Sequence, residues 1–89
     1  MFRTKDEKQK ISHRLKIARG HLNKVISMEE KGEYCIDVML QLQAVEKALK
    51  NAGDLILDNH LKTCVAKAIR QGKDKEVIDE VMKVMKKRE

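Results

Sequence analysis

A histidine and a cysteine stand four residues apart in the segment DNHLKTC, at His60 and Cys64. Residues four apart on a helix lie on one face, about one turn apart, so both side chains could bind the same metal ion. Two ligands are too few for a tight site, and the one other cysteine of the chain is Cys35. Two thiolates and one imidazole would form a soft set that suits Cu(I) best, and Zn(II) is the alternative with a fourth ligand.

The spacing of apolar residues predicts an all-α fold with three helices, short, long and short. Steps of three and four place the first helix over about residues 6–28 and the second over about 33–70, and a third follows Gly72 with Asp74 as its cap. The three stripes are Ile11, Leu15, Ala18, Leu22, Val25; a heptad seam of Cys35, Val38, Leu42, Val45, Leu49, Ala52, Ile56; and Val77, Ile78, Val81, Val84, Met85. Gly53 is the candidate break in the second helix, and a hairpin at Asn51–Asp54 is the alternative to a continuous helix.

The position of Cys35 decides where the third ligand comes from. If the second helix is continuous, Cys35 and His60 are about 37 Å apart and cannot share a metal within one chain. In an antiparallel pair of these helices, Cys35 of one chain would lie near His60 and Cys64 of the other, and a two-fold axis would repeat the site. A hairpin at Gly53 would instead assemble the three residues in one chain. A simpler interpretation is that the cysteines are ordinary buried packing residues.

Composition indicates one small domain over residues 1–89 that needs partner chains. The chain has one Tyr, one Phe and no Trp, so a large core cannot form within a single copy. Residues 1–24 carry eight Lys or Arg and two acidic residues, whereas the rest carries twelve of each sign. This basic N-terminal segment suggests nucleic acid as a partner, with a solvated helix face as the alternative.

Other function classes find little support in the sequence. There is no apolar run of 18 residues and no signal peptide, which predicts a cytoplasmic protein without membrane contact. There is also no Gly-rich loop, carboxylate pair or oxyanion arrangement, so we do not expect an enzyme.

Two segments, YCIDVMLQLQAVEKAL and DNHLKTCV, closely resemble the copper-sensitive operon repressor family of all-helical bacterial metal sensors. The similarity covers roughly residues 7–86, and its most specific part is Tyr34–Cys35 together with His60 and Cys64. The segment HRLKIARGHL also matches the family's basic first helix. Ile17 and Asn51 depart from the family, since basic residues are common at both positions.

The resemblance implies an antiparallel dimer, a dimer-of-dimers tetramer, and trigonal Cu(I) held between chains by Cys35, His60 and Cys64. It also implies that Tyr34 and Glu80 couple metal binding to DNA release. The metal-free tetramer would bind double-stranded operator DNA and release it on Cu(I) binding, so that copper-efflux genes are expressed. A copper chaperone is a candidate metal donor. The basic residues expected to contact DNA phosphates are Arg14, Lys16, Arg19, Lys47 and Lys50.

Two alternatives remain open at this point. Within the same family, the chain could sense another metal or a thiol-reactive signal. Outside the family, it could be a helical scaffold or assembly module that does not bind DNA.

Overall fold

The computed structural model describes residues 5–88, so Arg3 of the predicted basic segment and both ends of the predicted domain lie outside the described residues. This part of the chain is helical and has no strand. Its elements are α1 (Lys5–Glu30), α2 (Cys35–His60), a π-helical turn (Leu61–Val65), α3 (Ala66–Arg70) and α4 (Asp74–Lys87). Because α2, the π turn and α3 follow one another without a break, they form the predicted long second helix, and the short–long–short, all-α prediction is confirmed.

Gly53 does not interrupt the second helix. It lies inside α2, so the alternative hairpin at Asn51–Asp54 is wrong. A glycine costs only about 1 kcal/mol in a helix interior, and the neighbouring apolar residues keep their helical spacing on both sides of it. Cys35 and His60 are therefore the first and last residues of one 26-residue helix.

Glycines with a left-handed backbone end the first and second helices. Gly32 has a φ of 69° and Gly72 a φ of 77°, values that L side chains rarely adopt. After α1, the N–H of Glu33 donates to the carbonyl of Met28 over 3.1 Å, a bond that satisfies one of the last carbonyls of the helix.

The chain forms two compact units, one ending at Ile56 and the other beginning at Leu57.

The first unit is a pair of helices that pack through residues spaced by seven. Buried positions of α1 and α2 include two matching heptad series, Ile11, Ala18, Val25 and Val38, Val45, Ala52. Val25 and Val45 belong to one continuous apolar cluster, against which Leu42 packs. Nε2 of His21 on α1 also donates to Oε1 of Gln41 on α2 over 2.8 Å. The apolar series and this hydrogen bond align the two helices.

The other members of the predicted stripes stay accessible in the single chain. Leu15 and Leu22 of α1 are 41% and 39% exposed, and Leu49 of α2 is 46% exposed. These leucines directly flank the buried series on each helix, because they lie three or four residues from its members. The predicted stripe of α1 and the predicted heptad seam of α2 are thus only partly buried within one chain.

The second unit contains the π turn, α3 and α4. α3 contacts both the π turn and α4. Asp74 was predicted to cap α4, but Lys73 stands at the cap position and Asp74 is the first helical residue, where its charge still favours the helix dipole. α4 has no fully buried residue, and its Met82 is 61% exposed. Among the described residues, no helix is long and apolar enough to cross a membrane.

Candidate metal centre and nucleic-acid interface

The segment that carries two of the predicted ligands is a π turn rather than regular α-helix. His60 is the last residue of α2, and Cys64 lies within the turn at Leu61–Val65. A π turn accommodates one additional residue, and such turns often occur at functional sites. Cys64 is partly buried, and neither it nor Cys35 forms a disulfide.

Thr63 gives a local reason for the wider turn. Its Oγ1 donates to the backbone carbonyl of Asn59 over 2.7 Å. A hydroxyl that bonds the carbonyl four residues earlier competes with the backbone N–H that would otherwise take that place in an α-helix. The same Oγ1 lies 3.6 Å from Sγ of Cys64. The role of Thr63 was not predicted from the sequence, although this threonine directly precedes the candidate ligand Cys64.

The imidazole of His60 has one engaged nitrogen and one unengaged nitrogen. Nε2 lies 3.7 Å from Oε1 of Glu80 on α4, within ion-pairing distance. Nδ1 is buried and has no hydrogen-bond partner. Buried polar nitrogens in native proteins are nearly always satisfied, so an orphaned one indicates a missing partner. This pattern fits a metal-binding histidine, whose other nitrogen is held by a carboxylate.

The third predicted ligand is not brought to this site by the single chain. Cys35 is exposed at the start of α2, and a helix of 26 residues is about 39 Å long. Within residues 5–88, no three His, Cys, Asp or Glu side chains are grouped closely enough to hold a metal ion. Tyr34 directly precedes Cys35 and is 67% exposed. Of the three predicted ligands, His60 and Cys64 thus lie four residues apart in the chain, whereas Cys35 lies at the other end of α2.

The five basic residues predicted to contact DNA lie on two helices, and the three on α1 do not share one face of it. All five are exposed. Arg14 and Lys16 are two residues apart, a spacing that places side chains on opposite sides of a helix. Arg14 borders a groove of about 170 Å³ formed with Ile17 of α1 and with Ala48 and Asn51 of α2.

Lys16 belongs to a different groove along α1. This groove has a volume of about 310 Å³, and its lining residues are Lys5, Lys8, Gln9, Ser12, His13 and Lys16. Lys5 and Lys8 were not among the predicted contacts, although residues three apart in a helix lie on one face. This groove has three lysines in its lining, whereas the groove beside Arg14 has one cationic residue. Lys47 and Lys50, on α2, are exposed as well.

Comparisons with known proteins agree on one family. Residues 7–87 match the model of the metal-sensitive transcriptional repressors. The copper-sensing transcriptional repressor CsoR of Mycobacterium ulcerans is 44% identical over 81 residues, which are 91% of this chain and 69% of that protein. A crystal structure of the copper-sensing repressor CsoR with Cu(I) from Geobacillus thermodenitrificans matches with a TM-score of 0.93 and 40% identity, covering 98% of this chain and 91% of that one.

A second solved structure, the nickel-responsive transcriptional regulator InrS, is more distant. Its TM-score is 0.76 and its identity 30%, with 89% of each chain covered. The family consists of regulators rather than enzymes, and a transcriptional repressor binds DNA. The family match over residues 7–87, together with the close fold match, settles the classification: this chain belongs to the metal-sensitive transcriptional repressors.

Proposed function

We propose that this chain is a cytoplasmic, copper-responsive repressor that binds operator DNA without metal and releases it when Cu(I) binds. The observation that carries the proposal is the buried, unpartnered Nδ1 of His60, with Glu80 near its other nitrogen and Cys64 in the adjoining turn. An imidazole and thiolates form a donor set that Cu(I) prefers. The relatives and the solved structure whose names include copper sensing support the same metal.

The complete site would lie between two copies of the chain. α2 is continuous from Cys35 to His60, so an antiparallel copy would bring its own Cys35 towards His60 and Cys64. The exposed leucines beside the buried heptad series of α1 and α2 support this pairing, because another chain would cover them. We propose a dimer with two such sites, and a tetramer of two dimers, as the functional assembly.

Coupling between metal and DNA would begin at the His60 ring. Nδ1 would face the metal while Nε2 donates its proton to Glu80, which fixes the orientation of the ring and ties α4 to the site. Tyr34 directly precedes Cys35, so when Cys35 binds Cu(I) in the site of the other chain, the surroundings of Tyr34 would change as well. Linkage requires that DNA weaken Cu(I) binding by the factor by which Cu(I) weakens DNA binding, typically about 1–3 kcal/mol.

DNA would be held mainly through phosphates. The predicted contacts Arg14, Lys16, Arg19, Lys47 and Lys50 are all solvent-accessible, and they lie on long helices that a symmetric assembly would repeat. Contacts of this kind position the protein without reading bases, so recognition would depend on the shape and deformability of the operator. We expect a steep dependence of DNA affinity on salt concentration. A copper chaperone remains the proposed metal donor in the cell.

The test combines metal titration with mixed assemblies. Anaerobic Cu(I), Zn(II) and Ni(II) titrations of the intact protein on operator DNA should show release with Cu(I) at the lowest metal concentration. Cys35→Ala and His60→Ala variants should each bind DNA but not respond to copper. A mixture of the two, refolded together, should regain Cu(I) binding, because one site per dimer again has its three ligands.

The outcomes separate the alternatives. His13→Ala, which changes an exposed histidine outside the site, should respond to Cu(I) like the unmodified protein. Tight Cu(I) binding without any loss of operator affinity would contradict the sensor proposal, and release by Ni(II) or Zn(II) alone would reassign the metal. Failure of the mixture to regain binding, with both variants folded, would contradict a site shared between chains.

A further inference from the structure

The hydroxyl of Thr63 joins the helix backbone to the sulfur of the candidate ligand. Oγ1 is 2.7 Å from the carbonyl oxygen of Asn59 and 3.6 Å from Sγ of Cys64. Asn59 is buried, with 9% of its surface exposed, so the shorter bond is shielded from competing water. No other hydroxyl residue lies between Leu57 and Arg88, which makes Thr63 the sole residue of this segment able to make such a link.

A threonine hydroxyl has one proton and two lone pairs. Oγ1 is placed as a donor to the Asn59 carbonyl at 2.7 Å and, at the longer distance of 3.6 Å, to Sγ of Cys64, so its one proton is shared with a preference for the carbonyl. The hydroxyl therefore acts twice: it donates to the backbone carbonyl of Asn59, and it approaches the sulfur of Cys64.

The direction of Cys64 depends on this turn. The π turn begins directly after His60 and ends at Val65, so the backbone between the two candidate ligands has an unusual winding. If the segment were regular α-helix, Cys64 would be rotated about the helix axis relative to His60, and its sulfur would point in another direction. A shift of this kind matters because metal ligands must converge within a few tenths of an ångström.

We propose that Thr63 is a positioning residue of the metal site: its hydroxyl stabilises the π turn and thereby directs the Cys64 sulfur towards the position that faces His60 Nδ1. This inference rests on the proposed function, since it assigns Thr63 a role towards the metal that His60 and Cys64 would bind. Thr63 makes no bond to the metal itself. Its effect is carried through the turn and through the contact of Oγ1 with Sγ.

The test compares two substitutions at one position. Thr63→Val keeps the branched shape but removes the hydroxyl, whereas Thr63→Ser keeps the hydroxyl and removes a methyl group. We expect Cu(I) affinity to fall by about 10–100-fold in Thr63→Val, the range typical for lost supporting bonds around a metal, and to be retained in Thr63→Ser. Lys62→Ala, which alters an exposed neighbour in the same turn, is the matched control.

Two readouts separate positioning from a general loss of structure. The X-ray absorption spectrum of the Cu(I) complex should show one sulfur ligand fewer per copper in Thr63→Val than in the unmodified protein. Hydrogen exchange of the metal-free protein should become faster, or change its pattern, at residues 60–66 in Thr63→Val alone. Operator affinity of the metal-free variant should stay unchanged, because this turn is not among the proposed DNA contacts.

Unchanged Cu(I) affinity and sulfur count in Thr63→Val would overturn the inference while leaving the proposed function intact. Absence of Cu(I) binding by the unmodified protein would instead overturn the proposed function and, with it, the metal role of Thr63. If Thr63→Val fails to fold, Thr63→Ala, which also lacks the hydroxyl, takes its place: lower Cu(I) affinity than in Thr63→Ser supports the inference, and equal affinity contradicts it.

Discussion

Replacement of Glu80 by glutamine should separate copper binding from DNA release with little effect on stability. The carboxylate lies 3.7 Å from Nε2 of His60, and the side chain of Glu80 is 67% exposed whereas that of His60 is 23% exposed. A pair with one partner so accessible contributes about 0–1 kcal/mol to folding. Glu80→Gln keeps the size of the side chain and removes the charge, so the melting temperature should change little.

The effect on the metal-bound state should be larger. Once Nδ1 binds a metal, the Nε2 proton needs an acceptor, and loss of such an outer partner typically weakens metal binding by about 10–100-fold. That range corresponds to about 1.4–2.7 kcal/mol. If the contact between Glu80 and His60 also couples Cu(I) binding to DNA release, Cu(I) should no longer weaken operator binding in Glu80→Gln. In the unmodified protein, the factor typical of allosteric coupling is about 5–150.

The assay measures both quantities on the same protein. Cu(I) affinity comes from competition with a chromophoric chelator, and operator affinity with and without Cu(I) comes from fluorescence anisotropy of labelled DNA. Asp79→Asn is the matched control, because it removes one negative charge from the neighbouring exposed position of α4. Equal effects of Glu80→Gln and Asp79→Asn would refute the reasoning, since Glu80 would then act only through its overall charge.

Three further changes test other parts of the structure. Val45→Ala, at a position 2% exposed, should lower the free energy of unfolding by about 1–3 kcal/mol through lost burial and a cavity, as measured by urea titration; an unchanged midpoint would contradict the assigned core. Gly32→Ala should cost about 1 kcal/mol or more because the φ of 69° strains a side chain, and thermal melting against Gly20→Ala, at a helical glycine with open space around it, checks this. Replacement of Lys8 and Lys16 by glutamine tests the groove that these lysines line. The slope of log K for DNA binding against log salt concentration is negative, and its magnitude should decrease by about one per lost phosphate contact. A slope equal to that of the unmodified protein would exclude this groove from the DNA interface.

The helices could be predicted from sequence because three local signals agree. Apolar residues recur at steps of three and four, glycines stand where α1 and α3 end, and no proline interrupts the chain. Gly53 illustrates why pattern outweighs a single residue: its cost in a helix is small compared with burial of apolar residues on both sides, such as Ala52.

The structural details that the sequence did not predict depend on packing and on single hydrogen bonds. The predicted stripes of α1 and α2 contain residues that are buried within the chain, such as Val45, and residues that are exposed, such as Leu49, yet both fit the same periodicity. The π turn contains a hydrogen bond from the Thr63 hydroxyl to the Asn59 carbonyl, and the spacing of apolar residues carries no information about such a bond. The distribution of Arg14 and Lys16 over different grooves, by contrast, follows from helix geometry and could have been recognised beforehand.

The candidate metal site could be predicted only in part from the sequence, for a different reason. His60 and Cys64 were predicted on a regular α-helix, whereas the structure has a π turn between them, and the carboxylate near His60 was expected from the family resemblance at Glu80. Completion of the proposed site would depend on a second copy of the chain. A sequence specifies such a partner only indirectly, through exposed apolar residues and a cysteine at the far end of a continuous helix.

The exposed position of Tyr34 gives the molecule a built-in optical probe. It is the one tyrosine of a chain that has no tryptophan, and it directly precedes Cys35 in the sequence. Its ultraviolet emission therefore arises from a single known point, without overlap from other strong fluorophores. Occupation of a nearby thiolate, or burial of this ring by a second chain, should alter the emission intensity, so both events can be followed without attaching a dye.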